Sequence, residues 1–223
     1  KIPTIKNFSP PKKYTNFYRL LIRRRSQPDD TRTLISAIAP PDVMHGFSIF
    51  GMAFSNYNQL TLIAGLTFSI VFDFFAKSLA KEDWLFDSIG KLPILSGKTS
   101  FLIINRCLRL SCISSSFSNL WETVASEGIV GDCWSVNSEV LDRGQHKWSD
   151  LNHLKWDRGM VLVSDLSRRQ ALLEIDVLTA LGFGLDLKEL ITIYDLYFTS
   201  FNTKDKGELY DSNGYAVPKY GTD

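Results

Sequence analysis

The chain has 223 residues, of which 44% are hydrophobic, 13% aromatic and 22% charged. This composition is typical of a globular protein with a large core, and it excludes disordered, collagen-like and disulfide-framework proteins. The formal net charge of +1 is unevenly distributed: residues 1–32 carry nine Lys or Arg and two Asp, a net charge of +7, which leaves −6 for the rest. A basic head on an acidic body suggests an anionic partner that binds at one place.

The first part of the chain has the pattern of a small sheet. Residues 1–16 contain three prolines and are predicted to form an extended arm. Three apolar stretches at residues 17–23, 33–39 and 47–54 are predicted strands, because turn-forming Pro and Asp residues separate them. We expect a mixed N-terminal sheet, with a further short edge strand at residues 92–95.

A long apolar stretch follows these strands. Residues 45–72 contain no Asp, Glu, Lys or Arg, which raises the question of a membrane span. Polar residues near its start, and Asp73 and Lys77 at its end, leave an apolar run that is too short for a span. We therefore expect no membrane insertion and predict one buried helix over residues 59–80.

The remainder of the chain favours helices. Apolar residues recur at helical spacing at positions 117, 120, 121 and 124, and residues 128–162 are predicted to form a long ordered loop. Residues 167–170 have capping-box spacing and open a helix expected to end at residue 182 or 184, and residues 186–189 repeat the box. Asn213-Gly214 predicts a terminal hairpin. These elements predict an α+β fold, divided into residues 1–97 and 98–223 or formed as one continuous domain.

The sequence contains no pattern typical of an active site. Gly182-Phe183-Gly184 follows a helix rather than a strand, so it predicts a helix end and not a nucleotide-binding loop. Prolines precede Asp29 and Asp42, and Asp186 lies two residues before Lys188, which leaves a Mg²⁺-dependent nuclease as an alternative. The three cysteines match no zinc-ligand spacing, even with His146 or His153, and are typical of reduced thiols in a cytoplasmic protein.

Binding is better supported than catalysis. Arginine forks and lysine charges interleaved with aromatic residues suit phosphates and guanine edges, and polar residues in later loops are candidates for contacts with bases. The candidate DNA-binding residues are Lys12, Lys13, Arg19, Arg23, Arg24, Arg25, Arg32, His45, Asn56 and Asn58. For Arg23 and Arg32, the alternative is pairing with acidic residues of the body.

Short motifs along most of the chain are similar to those of one family. They include Phe17-Tyr18-Arg19-Leu20, Thr31-Arg32-Thr33-Leu34-Ile35, Arg106-Cys107-Leu108-Arg109-Leu110, Arg168-Arg169-Gln170-Ala171-Leu172 and Tyr210-Asp211-Ser212-Asn213-Gly214. In their order, they resemble the C-terminal target-recognition region of large single-chain adenine-N6 DNA methyltransferases of restriction–modification and phage-defence systems.

The resemblance implies that the chain reads double-stranded DNA for an upstream methyltransferase domain of the same polypeptide, which would bind S-adenosylmethionine. The family's Asn-Pro-Pro-Tyr or Asn-Pro-Pro-Phe motif is absent, so no catalytic residue carries over, and we expect no cofactor or metal in this chain. Because the first methionine is Met44, we expect a piece of a longer protein. The alternative function is a protein-interaction module whose Trp-rich loop and C-terminal helices dock another domain.

Overall fold

A computed structural model describes residues 4–5, 12–25, 32–79, 83 and 89–218. Within these ranges the strands are β1 (Thr4–Ile5), β2 (Lys12–Lys13), β3 (Arg19–Arg23), β4 (Ser36–Ala39) and β5 (Ile49–Ala53). The α-helices are α1 (Tyr57–Thr67), α2 (Ile70–Ser78), α3 (Lys98–Ser111), α4 (Ser118–Val124), α5 (Asp165–Gly182), α6 (Leu187–Tyr197) and α7 (Thr199–Asp205). The predicted α+β class is confirmed.

The three predicted strands are confirmed within shorter bounds. β3 lies at the centre of a sheet with order β4-β3-β5, in which Leu20 pairs with Ile38 on one side and Met52 on the other. Among the residues that the structure describes, all strand pairings are antiparallel, including the separate β1–β2 pair. The sheet is therefore antiparallel, whereas the sequence predicted a mixed one. Because β4 and β5 both run opposite to β3, they point in the same direction, and residues 40–48 connect them across β3.

The predicted edge strand at residues 92–95 is wrong. Pro93 has no N–H to donate to a strand ladder, and this segment is irregular. Leu92 and Leu95 are instead buried in the core. The Leu95 side chain packs so closely on Gly182, the last residue of α5, that a Cβ at position 182 would lie 2.6 Å from Leu95 Cδ1.

The long helix predicted over residues 59–80 is two helices, α1 and α2, which meet at a bend of 77°. Ser69 has an extended backbone between them, and its hydroxyl accepts a hydrogen bond from Phe72 N at 3.1 Å. Asp176 Oδ1 accepts another from Ile70 N at 2.8 Å, so side chains satisfy the N–H groups that the break releases. No single helix in the described ranges is long and apolar enough to cross a membrane, and α1 with α2 meets that test only as this bent pair.

The largest hydrophobic cluster lies between the inner face of the sheet and the helices. It includes Leu20 and Ile22 of β3, Leu66 of α1, Ile103 of α3 and Trp121 of α4. The sheet and the helices beyond residue 97 therefore share core contacts, and the division of the chain at that residue stays a prediction.

The C-terminal half is mainly helical, as predicted. The helix over α4 is confirmed, and the capping box at residues 186–189 is present: Asp186 Oδ1 accepts from Glu189 N, and Glu189 Oε2 accepts from Asp186 N, each at 2.8 Å. The cap of α5 is Ser164 rather than Ser167, because the Ser164 hydroxyl accepts from Ser167 N. The predicted turn at residues 213–214 closes a hairpin in which Tyr210 pairs with Ala216.

The predicted long loop over residues 128–162 contains short 3-10 turns, and it is fastened to the helices by buried arginines. Arg106 of α3 donates to Asp132 at 3.0 Å and to Glu174 of α5 at 2.6 Å. Arg109, also fully buried, donates to the carbonyls of His146 and Met160 and lies 4.6 Å from the centre of the Trp148 ring. Arg106 and Arg109 therefore hold residues 128–162 against the helices.

Candidate nucleic-acid interface

The predicted DNA-binding residues separate into exposed and buried groups. Lys12 and Lys13 are exposed on β2, and Arg25 is exposed just after β3. The Arg25 backbone pairs with that of Asp83, which fixes the segment that follows the strand. Lys12 and Lys13 directly precede Tyr14 and Thr15, and Arg25 follows Arg24. These neighbours contact the segment that links β4 to β5.

Arg19 does not belong to the exposed group, because only 1% of it is accessible. Its guanidinium donates to the carbonyls of Phe17 at 3.1 Å, Pro40 at 3.4 Å and Val43 at close range. It also lies 5.0 Å from the centre of the Tyr14 ring. Arg19 is thus a structural residue, and we remove it from the candidate DNA contacts.

Arg32 is also engaged within the fold, as the alternative of pairing with the acidic body predicted. Its guanidinium donates to Asp73 Oδ2 at 3.3 Å and to the carbonyls of Phe68 and Ser69 at 2.9 and 3.1 Å. Arg32 therefore caps the carbonyl end of α1 at the bend. Burial raises the pKa of Asp73, while the Arg32 guanidinium and the backbone N–H groups of Leu34 and Thr33 lower it.

Arg23 and Arg24 at the end of β3 are half-buried. Arg23 Nη2 donates to the Arg32 carbonyl at 3.3 Å. Arg24 makes two hydrogen bonds of 2.7 Å to the carboxylate of Asp83, which raise the pKa of Arg24 and lower that of Asp83. The same guanidinium lies over the ring of Phe47, 4.3 Å from its centre, so Arg24 joins a fixed ion pair to an aromatic side chain.

Residues 40–48, here called the outer loop, connect β4 to β5 and run along the outer face of the sheet. Arg19 binds two carbonyls of the loop, Asp42 N donates to the Thr15 carbonyl at 2.7 Å, and Arg24 N donates to the Ser48 carbonyl at 2.9 Å. Asp42 has a left-handed backbone with φ of 64°, a conformation that aspartate tolerates better than most residues. The loop is therefore held at both ends and near its middle.

His45 lies on the outer face with Tyr14, above Gly51 of β5. A Cβ at Gly51 would lie 2.5 Å from the Tyr14 hydroxyl and 2.7 Å from His45 Nε2, so glycine is needed for this close approach. His45 Nδ1 is 3.2 Å from the Gly46 carbonyl, and the two rings meet edge to face. Burial raises the pKa of Tyr14, with Arg19 opposing it.

The tip of the outer loop presents apolar side chains to solvent. Of the large hydrophobic residues that the structure describes, Phe47 is the most exposed at 78%, and Met44 is exposed at 68%. From the sequence, Phe47 was expected in a strand and Tyr14 among the aromatic residues interleaved with the cations, and no pattern identified Met44 or Gly51 as part of this surface. The one local signal for a presented loop was the Pro-Pro-Asp turn with a glycine shortly before the phenylalanine.

Asn56 and Asn58 lie at the start of α1. The Asn56 side chain is the N-cap, because its Oδ1 accepts from Asn58 N at 2.8 Å and Gln59 N at 3.2 Å. The Asn58 side chain is exposed. Of the two predicted base contacts, Asn56 thus has a structural role, and Asn58 keeps an exposed amide.

The described residues contain no group of three or more His, Cys, Asp or Glu side chains arranged to hold a metal ion. Cys107 and Cys112 are buried, and burial raises the pKa of Cys107 to about 12. Asp186 caps α6, Asp42 lies in the outer loop, and Asp29 lies outside the described residues.

Comparisons with protein-family models, curated proteins and solved structures return no match for this chain.

Proposed function

We propose that this chain is a sequence-specific, double-stranded-DNA-binding domain. It would serve as the target-recognition part of a cytoplasmic adenine-N6 DNA methyltransferase or a fused restriction–modification enzyme. One observation carries the proposal: the exposed cations Lys12, Lys13 and Arg25 adjoin, along the chain, residues that contact a fixed outer loop whose tip is exposed. The methyltransferase class rests on the resemblance of the ordered motifs, and S-adenosylmethionine would bind to the upstream domain.

The arrangement suits a duplex because it combines exposed cations, which can contact phosphates, with an exposed and fixed outer loop, which can contact bases. Lysines act as flexible point charges toward phosphates, and an arginine adds a planar fork. Contacts to phosphate orient the protein on DNA, while side chains on a fixed loop reach the bases. His45 and Asn58 are the remaining exposed or half-exposed polar candidates for base contacts.

Salt dependence of binding tests this proposal. If the three exposed cations each neutralise one phosphate, the slope of log K against log salt is about −2.7 or steeper, and binding weakens about 40-fold between 50 and 200 mM salt. Replacing Lys12 and Lys13 with Gln should make the slope shallower by about 1.8, as measured by fluorescence anisotropy with a labelled duplex.

The matched control replaces Lys147 and Lys188, which are exposed in the C-terminal half, with Gln. The control should keep the slope of the unmodified chain. A slope that does not respond to the Lys12 and Lys13 changes, or binding that does not respond to salt, contradicts the proposal. Competition among duplexes of different sequence then measures the specificity ratio.

A second candidate, a protein-interaction module, is favoured by a separate observation on α5. Leu173, Val177 and Leu181 are four residues apart on one side of the helix and are exposed at 45%, 39% and 60%. Their partner would be the methyltransferase domain. Changing all three to Ser should weaken binding to that domain in calorimetry while DNA affinity stays unchanged; loss of DNA affinity instead would place the DNA surface on α5.

A further inference from the structure

The outer loop carries a feature that phosphate binding does not explain. Phe47 is exposed at 78% and Met44 at 68%, and Val43, which precedes Met44, exposes 41%. Side chains of this size are normally buried, because each Å² of exposed apolar surface forgoes about 25 cal/mol. Single exposed apolar side chains are common on protein surfaces, whereas grouped ones mark surfaces that contact another molecule. Val43, Met44 and Phe47 are grouped within five residues of one loop.

The tip is presented in a fixed position. Arg19 holds the first half of the loop through the carbonyls of Pro40 and Val43, and Ile49 N donates to the Gly46 carbonyl at 3.2 Å in the second half. Asp83 fixes Arg24 through two hydrogen bonds, and Arg24 in turn lies against the Phe47 ring. A side chain held in this way loses little conformational entropy when it enters a partner.

The charge around the tip indicates which partner fits. Arg24 lies against the exposed ring and is paired with Asp83. Arg25 follows it, and Lys12 and Lys13 precede Tyr14, whose ring contacts His45 of the loop. An apolar tip with exposed cations on the adjoining segments is complementary to a polyanion with an apolar interior. Duplex DNA has this character, since phosphates lie outside and stacked bases inside.

We propose that Phe47 and Met44 form an apolar wedge that enters between adjacent base pairs and kinks the duplex, while Lys12, Lys13 and Arg25 hold the phosphates. This inference rests on the proposed DNA-binding function and names how its surface acts. Inserted Phe and Met side chains unstack base steps and bend DNA, which brings more of the duplex onto the protein. The wedge would favour pyrimidine–purine steps, because these unstack most easily.

The test uses the full chain and a duplex of about 30 bp with 2-aminopurine in TpA steps and a dye pair at its ends. Binding of the unmodified chain should raise 2-aminopurine fluorescence, which reports unstacking, and increase energy transfer between the ends, which reports bending. Phe47→Ala should abolish both signals and weaken binding about tenfold, with the salt slope unchanged because no phosphate contact is lost. Met44→Ala should reduce both signals in part.

The matched control is Leu196→Ala, at an apolar residue of α6 that is exposed at 69%, and this change should leave every signal unchanged. Salt-dependent binding without unstacking, or with equal affinity for Phe47→Ala, overturns the wedge but leaves DNA binding standing. Absence of salt-dependent binding overturns both proposals. If Phe47→Ala instead abolishes binding to anionic phospholipid vesicles, and the duplex gives no unstacking signal, the tip is a membrane contact and the wedge is overturned.

Discussion

Arg19 gives the sharpest test of how this surface is built, because the sequence predicts a DNA contact and the structure places the residue inside. We consider Arg19→Met, which keeps the apolar stem of the side chain and removes the guanidinium. The change leaves the carbonyls of Phe17 and Val43, now bonded at 3.1 Å and at close range, without this donor. Both lie where the outer loop covers the sheet.

The magnitude follows from these bonds. A hydrogen bond from a charged donor contributes about 1.5–3 kcal/mol, so the two short bonds amount to about 3–6 kcal/mol, and the long bond to Pro40 adds little. Methionine recovers part of this by filling the space with an apolar side chain. We expect the free energy of unfolding to fall by about 3 kcal/mol.

Urea denaturation followed by circular dichroism measures this change. With a slope of about 3 kcal/mol per molar urea for a chain of this size, the midpoint should fall by about 1 M. Arg25→Met, at an exposed position, is the control and should change stability by less than about 0.5 kcal/mol while making the salt slope of DNA binding shallower. Full stability of Arg19→Met, together with DNA binding weakened as in Arg25→Met, would refute a structural role for Arg19.

Three further outcomes are expected from stability measurements on single variants. Burial raises the pKa of Glu174, but Arg106 and hydrogen bonds from Ser135 and Gln170 outweigh it and hold the pKa below 4.5. Glu174→Gln should therefore lower the free energy of unfolding at neutral pH, and the difference from the unmodified protein should shrink as the pH falls below about 4.5. Urea titrations at several pH values measure this difference, and a constant value would contradict the pairing of Glu174 with Arg106. Burial raises the pKa of Asp73, so the stability of the unmodified protein relative to Asp73→Asn should increase as the pH falls toward 3.8, and a decrease would contradict it. Asp186→Ala should lower the melting temperature by about 2–4 °C, because the helix cap contributes about 1 kcal/mol, and an unchanged value would exclude the capping box.

Local patterns predicted the elements of this fold because the interactions that form them are local. The strands came from short apolar stretches between turns, and the capping box at residues 186–189 lies within four residues. The break between α1 and α2 could not be predicted in this way. It depends on Arg32 and Asp176, which reach the bend from distant parts of the chain.

The roles of the basic residues were likewise predictable only in part. The distribution of charge along the sequence indicated a basic head, and Lys12, Lys13 and Arg25 are exposed as a binding surface requires. It could not identify Asp73 as the partner of Arg32 or Asp83 as the partner of Arg24, because these residues lie 41 and 59 positions further along the chain. Nor could it identify Phe47 as exposed, because an apolar residue beside a strand is read as part of that strand.

Lysine footprinting tests the central claim, that DNA lies on the outer face of the sheet, most directly. The full chain is acetylated with and without duplex at low salt, and mass spectrometry measures the modification of each lysine. The lysines compared are Lys12, Lys13, Lys147 and Lys188, which are all exposed in the absence of DNA. Duplex should protect Lys12 and Lys13 and leave Lys147 and Lys188 fully reactive. Protection of Lys147 or Lys188 with Lys12 and Lys13 still reactive would place the DNA elsewhere and contradict it.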